Sequence, residues 1–468
     1  MKYTFFLLLF LVGFTVGAQD NELRTDNFIY RNNIRTVRFH VNGLPVSQPI
    51  IELNSRSRLL LTFDDTDADD KNYSYKIRHY NADWTRSDLA ETDYTDGFAE
   101  ADIEEYDYAF NTVINFTHYA LMLPNEDVEF AVSGNYTVTI FDSDTGDLIL
   151  TRRFTVVEPL VTVSEKFVRP VRTDKQDTHH EFDFTVRHEQ IGVKRPLVEL
   201  KAVVLQNGRW DNAITGLQPR FSNNGISEFD FSDKVIFPAG VEFRYADLRS
   251  LDYRQLGVFD IQQSEDGYDV TLQKDNKRFQ SGFSSYRDIN GDFVIENIDD
   301  AQMPGPGLIS ALQSNQQQTD TDTGIPASQM VRSNYFNSAE EYLETNGLNA
   351  LVSDYAYVTF SLVSPTEYYD DDVYLFGKMT DWQIKPEFKL RYNDKYGAYM
   401  GEAFLKQGFH NYYYVRVPQS GGAPDWDLTE GNWYETENEY TIIIYYRSFT
   451  GRYDRAVGAY VFASGSGF

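Results

Sequence analysis

Residues 135–159 read NYTVTIFDSDTGDLILTRRFTVVEP, and this stretch decides the fold class. Asn135–Asp142 and Leu148–Val157 carry apolar residues at alternate positions, the two-residue period of a strand buried on one face. Between them, Ser143-Asp144-Thr145-Gly146-Asp147 offers Gly and Asp, which tolerate positive φ, so the two strands form a hairpin. Glu158-Pro159 closes the unit, because proline cannot continue a central strand.

The same reading extends outward in both directions. Upstream it predicts strands at Thr36–Val41, Arg58–Phe63, Tyr73–Tyr80 and His118–Leu123. With the hairpin they make one β-sandwich over residues 24–158. Downstream, Glu181–Arg187, Leu197–Gln206 and Tyr268–Gln273 mark a middle β domain over 159–298. Residues 299–350 lose the alternation. They hold Pro304-Gly305-Pro306-Gly307 and Gln316-Gln317-Gln318, and read as a flexible polar linker. One short helix is expected within it, capped by Ser338 and Glu341 in an S-x-x-E pattern and closed at Gly347. The β pattern resumes at Tyr355 and defines a C-terminal domain over 351–468. The expectation is an all-β chain of several immunoglobulin-like sandwiches in tandem.

Composition narrows what such a chain does. The 468 residues include no cysteine, which removes disulfides, thiol nucleophiles, thiolate metal sites and a lipid-modified N-terminal cysteine. The net charge of −29 argues against nucleic acid, whose phosphates need a basic face, and equally against an anionic membrane surface. The 33 Tyr and 34 Phe exclude a disordered acidic chain. Lys2 followed by the apolar run Thr4–Phe14, with small residues at Val16 and Ala18, reads as a signal peptide over residues 1–18. The expected compartment is a bacterial envelope, because an exported eukaryotic chain of this size usually carries disulfides.

No G-x-S-x-G elbow, H-E-x-x-H motif, Walker loop or strand-borne G-x-G-x-x-G occurs. Neither catalytic nor cofactor-binding residues are therefore assigned. The run Asp64–Asp70 alternates Asp65, Asp67 and Asp69 as a calcium loop can. Counted from Asp65, however, the Gly and Glu that an EF-hand requires are Asp70 and Lys76, so a solvated acidic turn is expected. Asp288-Ile289-Asn290-Gly291-Asp292 reads as a type I′ hairpin turn around Asn290-Gly291. His179, His180 and His188 cluster in sequence. His180 and His188 would lie far apart along one strand, so no metal site is assigned.

The C-terminal domain carries the order Val373-Tyr374-Leu375-Phe376-Gly377, Trp382, Gly408–Val415 and Trp426. This resembles the early-set, immunoglobulin-like modules that bind starch and glycogen, in which two tryptophans form a platform for sugar rings. Trp382 and Trp426 fall at the platform positions, and Tyr413 stands where a sugar-binding lysine often follows. These three residues are the candidate binding surface.

Across the whole chain, further segments resemble one family. They are TVRFH (36–40), LLLTFDDTDADDKNYSYKIRHYNADWTRSDL (59–89), FAVSGNYTVTIFD (130–142), RRFTVVEPLV (152–161), VVLQNGRWDNAITGLQP (203–219), DINGDFVI (288–295), KQGFHNYYYV (406–415) and YETENEYTIIIYYRSFTGRYDR (434–455). In that order they resemble the plug protein of the type IX secretion system. The resemblance implies a non-enzymatic accessory at the inner face of the outer membrane. Its partner would be the giant translocon barrel, whose periplasmic mouth it closes while no cargo is engaged. It implies no catalytic residues, no small-molecule substrate and a peripheral rather than embedded protein. The chain departs from the family at 299–350, which is longer and more polar than expected there.

Two other classes compete with this reading. An outer-membrane β-barrel shares the leader, the missing cysteines and the aromatics, but many strands here fall short of the roughly ten residues a tilted barrel strand needs. A glycan-binding envelope protein would rest on Trp382 and Trp426.

Overall fold

The computed structural model describes residues 22–299, 326–345 and 347–464. The expected signal peptide lies outside these residues, as do Pro304–Gly307 and Gln316–Gln318. The described chain is all-β, with three cores, two held between facing sheets and one inside a single nine-stranded sheet that folds over on itself. That arrangement is a set of sandwiches and not an outer-membrane barrel.

The first sandwich spans residues 28–157. One sheet runs Phe28–Ile29, Leu148–Val157, Gly134–Asp142, Tyr73–Tyr80, Glu100–Asp102, and the other runs Ile34–Val41, Leu59–Asp65, Thr117–Leu123, Tyr106–Tyr108. Their facing sides bury Leu59, Leu61, Phe63, Tyr75, Ile77, Tyr136 and Val138. The hairpin forms as its residues dictate. Gly146 takes a φ of +75°, and the Asp142 carboxylate accepts from the backbone N–H groups of Asp144 (3.0 Å) and Thr145 (2.8 Å).

The second sandwich corrects the expected domain division. Its first sheet comes from the middle of the chain: Thr162–Val168, His179–Arg187, Ile226–Phe229 and Phe221–Asn223. Its second sheet runs Ile214–Leu217, Leu200–Gln206, Glu439–Tyr446, Arg455–Ala463, so half of it is the C-terminal end of the chain. Leu200–Gln206 is buried along almost its entire length and needs a partner on each edge. Glu439–Tyr446, equally buried, supplies one of them in register from Leu200↔Tyr446 to Gln206↔Tyr440. Residues 159–298 and 351–468 are therefore not separate domains.

The third sandwich exchanges in the opposite direction. Its nine-stranded sheet includes Tyr355–Val363, Asp371–Phe376, Lys389–Asn393, Ala398–Lys406 and Gly408–Pro418, extended by Arg244–Asp247, Val258–Ser264 and Gly267–Leu272 from the middle of the chain. The sheet folds over on itself, so that Phe360 meets the Tyr412 ring edge-on at 4.9 Å. Asn290 and Gly291 both take positive φ, as a type I′ turn requires. The turn is not part of a hairpin, because only Phe293–Ile295 follows it into the sheet.

The described part of 299–350 is not a free linker. Phe336, Ala339 and Leu343 pack with Leu60, Ala120 and Met122 of the first sandwich. The helix Ala339–Thr345 starts on Ser338, whose Oγ accepts from the Glu341 N–H at 3.1 Å. The Glu341 carboxylate reaches back to the Asn337 N–H instead of that of Ser338. Gly347 does not end the helical region; it opens a second helix, Gly347–Val352.

Candidate interaction surface

Trp382, Trp426 and Tyr413 are brought together, but facing inward. Tyr413 is buried, stacks on Phe243 at 3.9 Å, and its hydroxyl donates to the Val241 carbonyl while accepting from the Val241 N–H. Trp426 is buried 5.9 Å from Tyr413, and its indole N–H donates to Asn432 at 3.1 Å. Trp382 is half-buried and sits in a left-handed turn (φ +57°) that points its ring at Phe376 and Phe243. The buried Arg209 guanidinium lies 4.8 Å from the Trp382 ring and 5.5 Å from the Trp426 ring. An internal cation covers the surface where sugar rings would stack. The expected platform is thus corrected to a packing cluster between the second and third sandwiches. Arg209 stands within the family-like run VVLQNGRWDNAITGLQP (203–219).

The acidic run divides between two faces of one strand. Asp65, Asp67 and Asp69 do converge, but the Lys71 ammonium occupies the centre, at 2.9, 2.5 and 3.2 Å from their carboxylates. Asp64 points the other way, into the seam between the first and third sandwiches. Its carboxylate accepts from Lys406 Nζ (2.5 Å), the Tyr355 hydroxyl (2.6 Å) and His118 Nδ1 (2.5 Å), with Asp64 and Lys406 both 0% exposed. Burial raises the Asp64 pKa, but the Lys406 charge and His118 outweigh it and hold the carboxyl below its usual value. Burial lowers the His118 pKa more than Asp64 raises it, so the neutral ring donates through Nδ1. Sequence reading missed this site. The available signal was the alternation in LLLTFDD, which sets Asp64 on the face opposite Leu61 and Phe63.

The histidines play separate structural parts. His180 is fully buried, accepts from the Tyr440 hydroxyl through Nδ1 and donates through Nε2 to the Tyr434 carbonyl, with burial lowering its pKa to about 4. His188 bonds Ser227 at 2.9 Å.

A second buried acidic site surrounds the Asn290-Gly291 turn. Asp288 accepts from the N–H groups of Phe243 and Asn290, and burial pushes its pKa up to about 7. Glu242 beside it is held well above the usual range, first by burial and then by Asp288. A carboxyl whose folded pKa exceeds its unfolded value near 4 costs stability as the pH rises between the two. The Asp288 carboxyl by itself should therefore contribute a loss on the order of 2 kcal/mol between pH 5 and pH 8, opposite in sign to the gain from His180, whose folded pKa is lowered. Asp288→Asn should remove that contribution, so that in urea denaturation the variant gains stability relative to wild type as the pH rises from 5 to 8. An unchanged slope would show that these carboxyls stay ionised throughout.

What remains for a partner is apolar and exposed. Leu197 (48% exposed) and Val198 (58%) lie on the short helix Pro196–Glu199, which packs against the strand bearing Phe221 (55%). The Arg447 N–H donates to the Glu199 carbonyl at 2.9 Å and brings in the loop bearing Phe449 (81%), whose ring lies 4.7 Å below the Arg195 guanidinium. Three segments thus build one exposed apolar knob on the second sandwich, where large aromatics make strong anchors.

Residues 34–158 match the family model described as "Type 9 secretion system plug protein 1st domain". No curated protein matches the chain. Among solved structures, a hypothetical protein from Parabacteroides merdae ATCC 43184, crystallised at 2.30 Å, superposes with a TM-score of 0.79 at 29% identity. The match covers 95% of this chain and 100% of that one.

Proposed function

We propose that this chain, whose residues 34–158 match the type 9 secretion system plug protein first-domain model, is a member of that family and closes the periplasmic mouth of the system's outer-membrane translocon barrel. It does so without catalysis, as a peripheral body at the inner face of the outer membrane. The observation that carries this reading is the family match over 34–158.

The architecture supports it. A plug must resist deformation, and the chain crosses between the second and third sandwiches twice, after Pro238 and after Pro418, which ties them at two points. The Asp64–Lys406 pair fastens the first sandwich to the third. The glycan-binding alternative loses its platform, because Arg209 and Phe243 already occupy the faces of Trp382 and Tyr413.

The test is recovery of the tagged chain from its native envelope in mild detergent. Co-recovery of a very large outer-membrane barrel, depleted when cargo jams the channel, is the expected result. Recovery without any barrel would sink the reading. We place the contact at the knob. Leu197→Ser with Phe449→Ser should cut the recovered barrel about tenfold or more while the urea midpoint holds, as expected for hot-spot aromatics. Full retention by that variant would move the contact elsewhere.

A further inference from the structure

A cavity of about 530 Å³ opens between the first sandwich and the third. Its lining holds seven Lys and Arg side chains against three carboxylates, in a chain whose net charge is −29. Most of those cations are already paired: Arg24 with Asp26, Arg152 and Lys385 with Asp381, Lys378 with Asp292, Lys406 with Asp64. Of the other two, Arg31 is paired at one end only and Arg35 not at all. The Arg31 side chain is only 10% exposed, and its Nη1 has no hydrogen-bond acceptor. Its Nη2 lies 3.0 Å from the Asp147 carboxylate without hydrogen-bond geometry. Arg35, four residues on, has no ion-pair or hydrogen-bond partner among the described residues, and its guanidinium stands 6.0 Å from the Phe404 ring.

A buried guanidinium N–H without an acceptor, as at Arg31 Nη1, is costly, and the cost disappears when an anion supplies one. Guanidinium forks match the two oxygens of a carboxylate or phosphate. Phe28, Ile29, Val37 and Phe388 add apolar wall to the same cavity. Its volume falls in the range of small-molecule sites. We infer that this cleft binds an anionic amphiphile, its phosphate or carboxylate held by Arg31 and Arg35 and its apolar body lying along Phe28 and Phe404. Such a ligand would bridge the first sandwich to the third. The inference is independent of the proposed plugging role and its test does not involve the barrel.

The experiment is calorimetric titration of the full chain with n-octyl phosphate, with inorganic phosphate, and with phosphatidylglycerol vesicles. Octyl phosphate should bind and should raise the unfolding temperature in proportion to the logarithm of its concentration. Inorganic phosphate should bind at least about tenfold more weakly, since it leaves the apolar wall uncovered. Arg35→Glu and Arg31→Ala should each weaken octyl phosphate about tenfold or more, the loss of a charge-assisted hydrogen bond, and Arg35→Lys should recover part of it. Arg35 contacts no partner whose loss would unfold the chain, so a preserved urea midpoint is expected for its variants. Vesicle binding that vanishes in Arg35→Glu would identify a lipid headgroup as the source, and binding of the free amphiphile alone would identify a soluble anion. Octyl phosphate that fails to bind, or that binds the Arg31/Arg35 double variant as well as wild type, overturns the inference.

Discussion

Lys406→Met is expected to destabilise the folded chain by roughly 3–5 kcal/mol, among the largest effects a single substitution can have here. Methionine approximates the length of lysine, so packing is largely kept and the loss is electrostatic. What remains is the Asp64 carboxylate, 0% exposed, facing the seam with only His118 and Tyr355 as donors. An ionised carboxylate left there without its cation bears the full desolvation cost. Asp64→Asn should be similarly harmful, because it strands the ammonium of Lys406 above the Phe116 ring. The double variant should cost clearly less than the sum of the two, since neither charge is then left alone. The pH dependence has a definite sign. The folded Asp64 carboxyl titrates below its unfolded value near 4. Its contribution is complete above that value and disappears as the pH falls through the folded pKa. Acid denaturation that begins well above pH 4 and follows Asp64 would contradict this arrangement.

Removing residues 436–468 should unfold the second sandwich while sparing the first. The deletion takes away Tyr440, Ile442, Ile444, Val457 and Phe462 from its core, and one whole edge of Leu200–Gln206. At about 1.5–3 kcal/mol for each buried side chain, the loss is roughly 8–15 kcal/mol, which matches the entire stability of an ordinary domain. The first core draws only on residues between 29 and 156, so that sandwich keeps its own packing. Limited proteolysis with mass spectrometry should find new cleavage throughout 160–238 and continued protection of 28–157. Protection of 160–238 in the truncated chain would mean that the middle segment folds by itself, as the sequence reading expected.

The local elements were legible because their causes are local. Tyr73–Tyr80 and Leu148–Val157 have the limits read from alternation alone, and the intervening Ser143–Asp147 loop turns on Gly146 and Asp142. The all-β class follows from the same pattern. Leu197–Gln206 was legible only in part. Pro196 sets the backbone for a helical turn, so the strand begins at Leu200.

The candidate site was less legible. Trp382, Trp426 and Tyr413 lie in one packing cluster, but sequence does not say which face of an aromatic ring is free. Arg209, 173 residues before Trp382, decides that, and nothing near Trp382 announces it. The knob is assembled from residues 197, 198, 221 and 449, which come together only after the chain has folded.

From the sequence by itself follow the strands, their turns, the acidic surface and the family resemblance, because a two-residue period and turn chemistry act over a few residues. Tertiary structure alone decided that Glu439–Tyr446 belongs beside Leu200–Gln206, and that Asp64 faces Lys406 while Asp65 faces Lys71. The physical reason is that periodicity records that a face is buried, not what buries it. Pairing across more than 230 residues is chosen by the burial and charge neutralisation that the whole chain achieves at once.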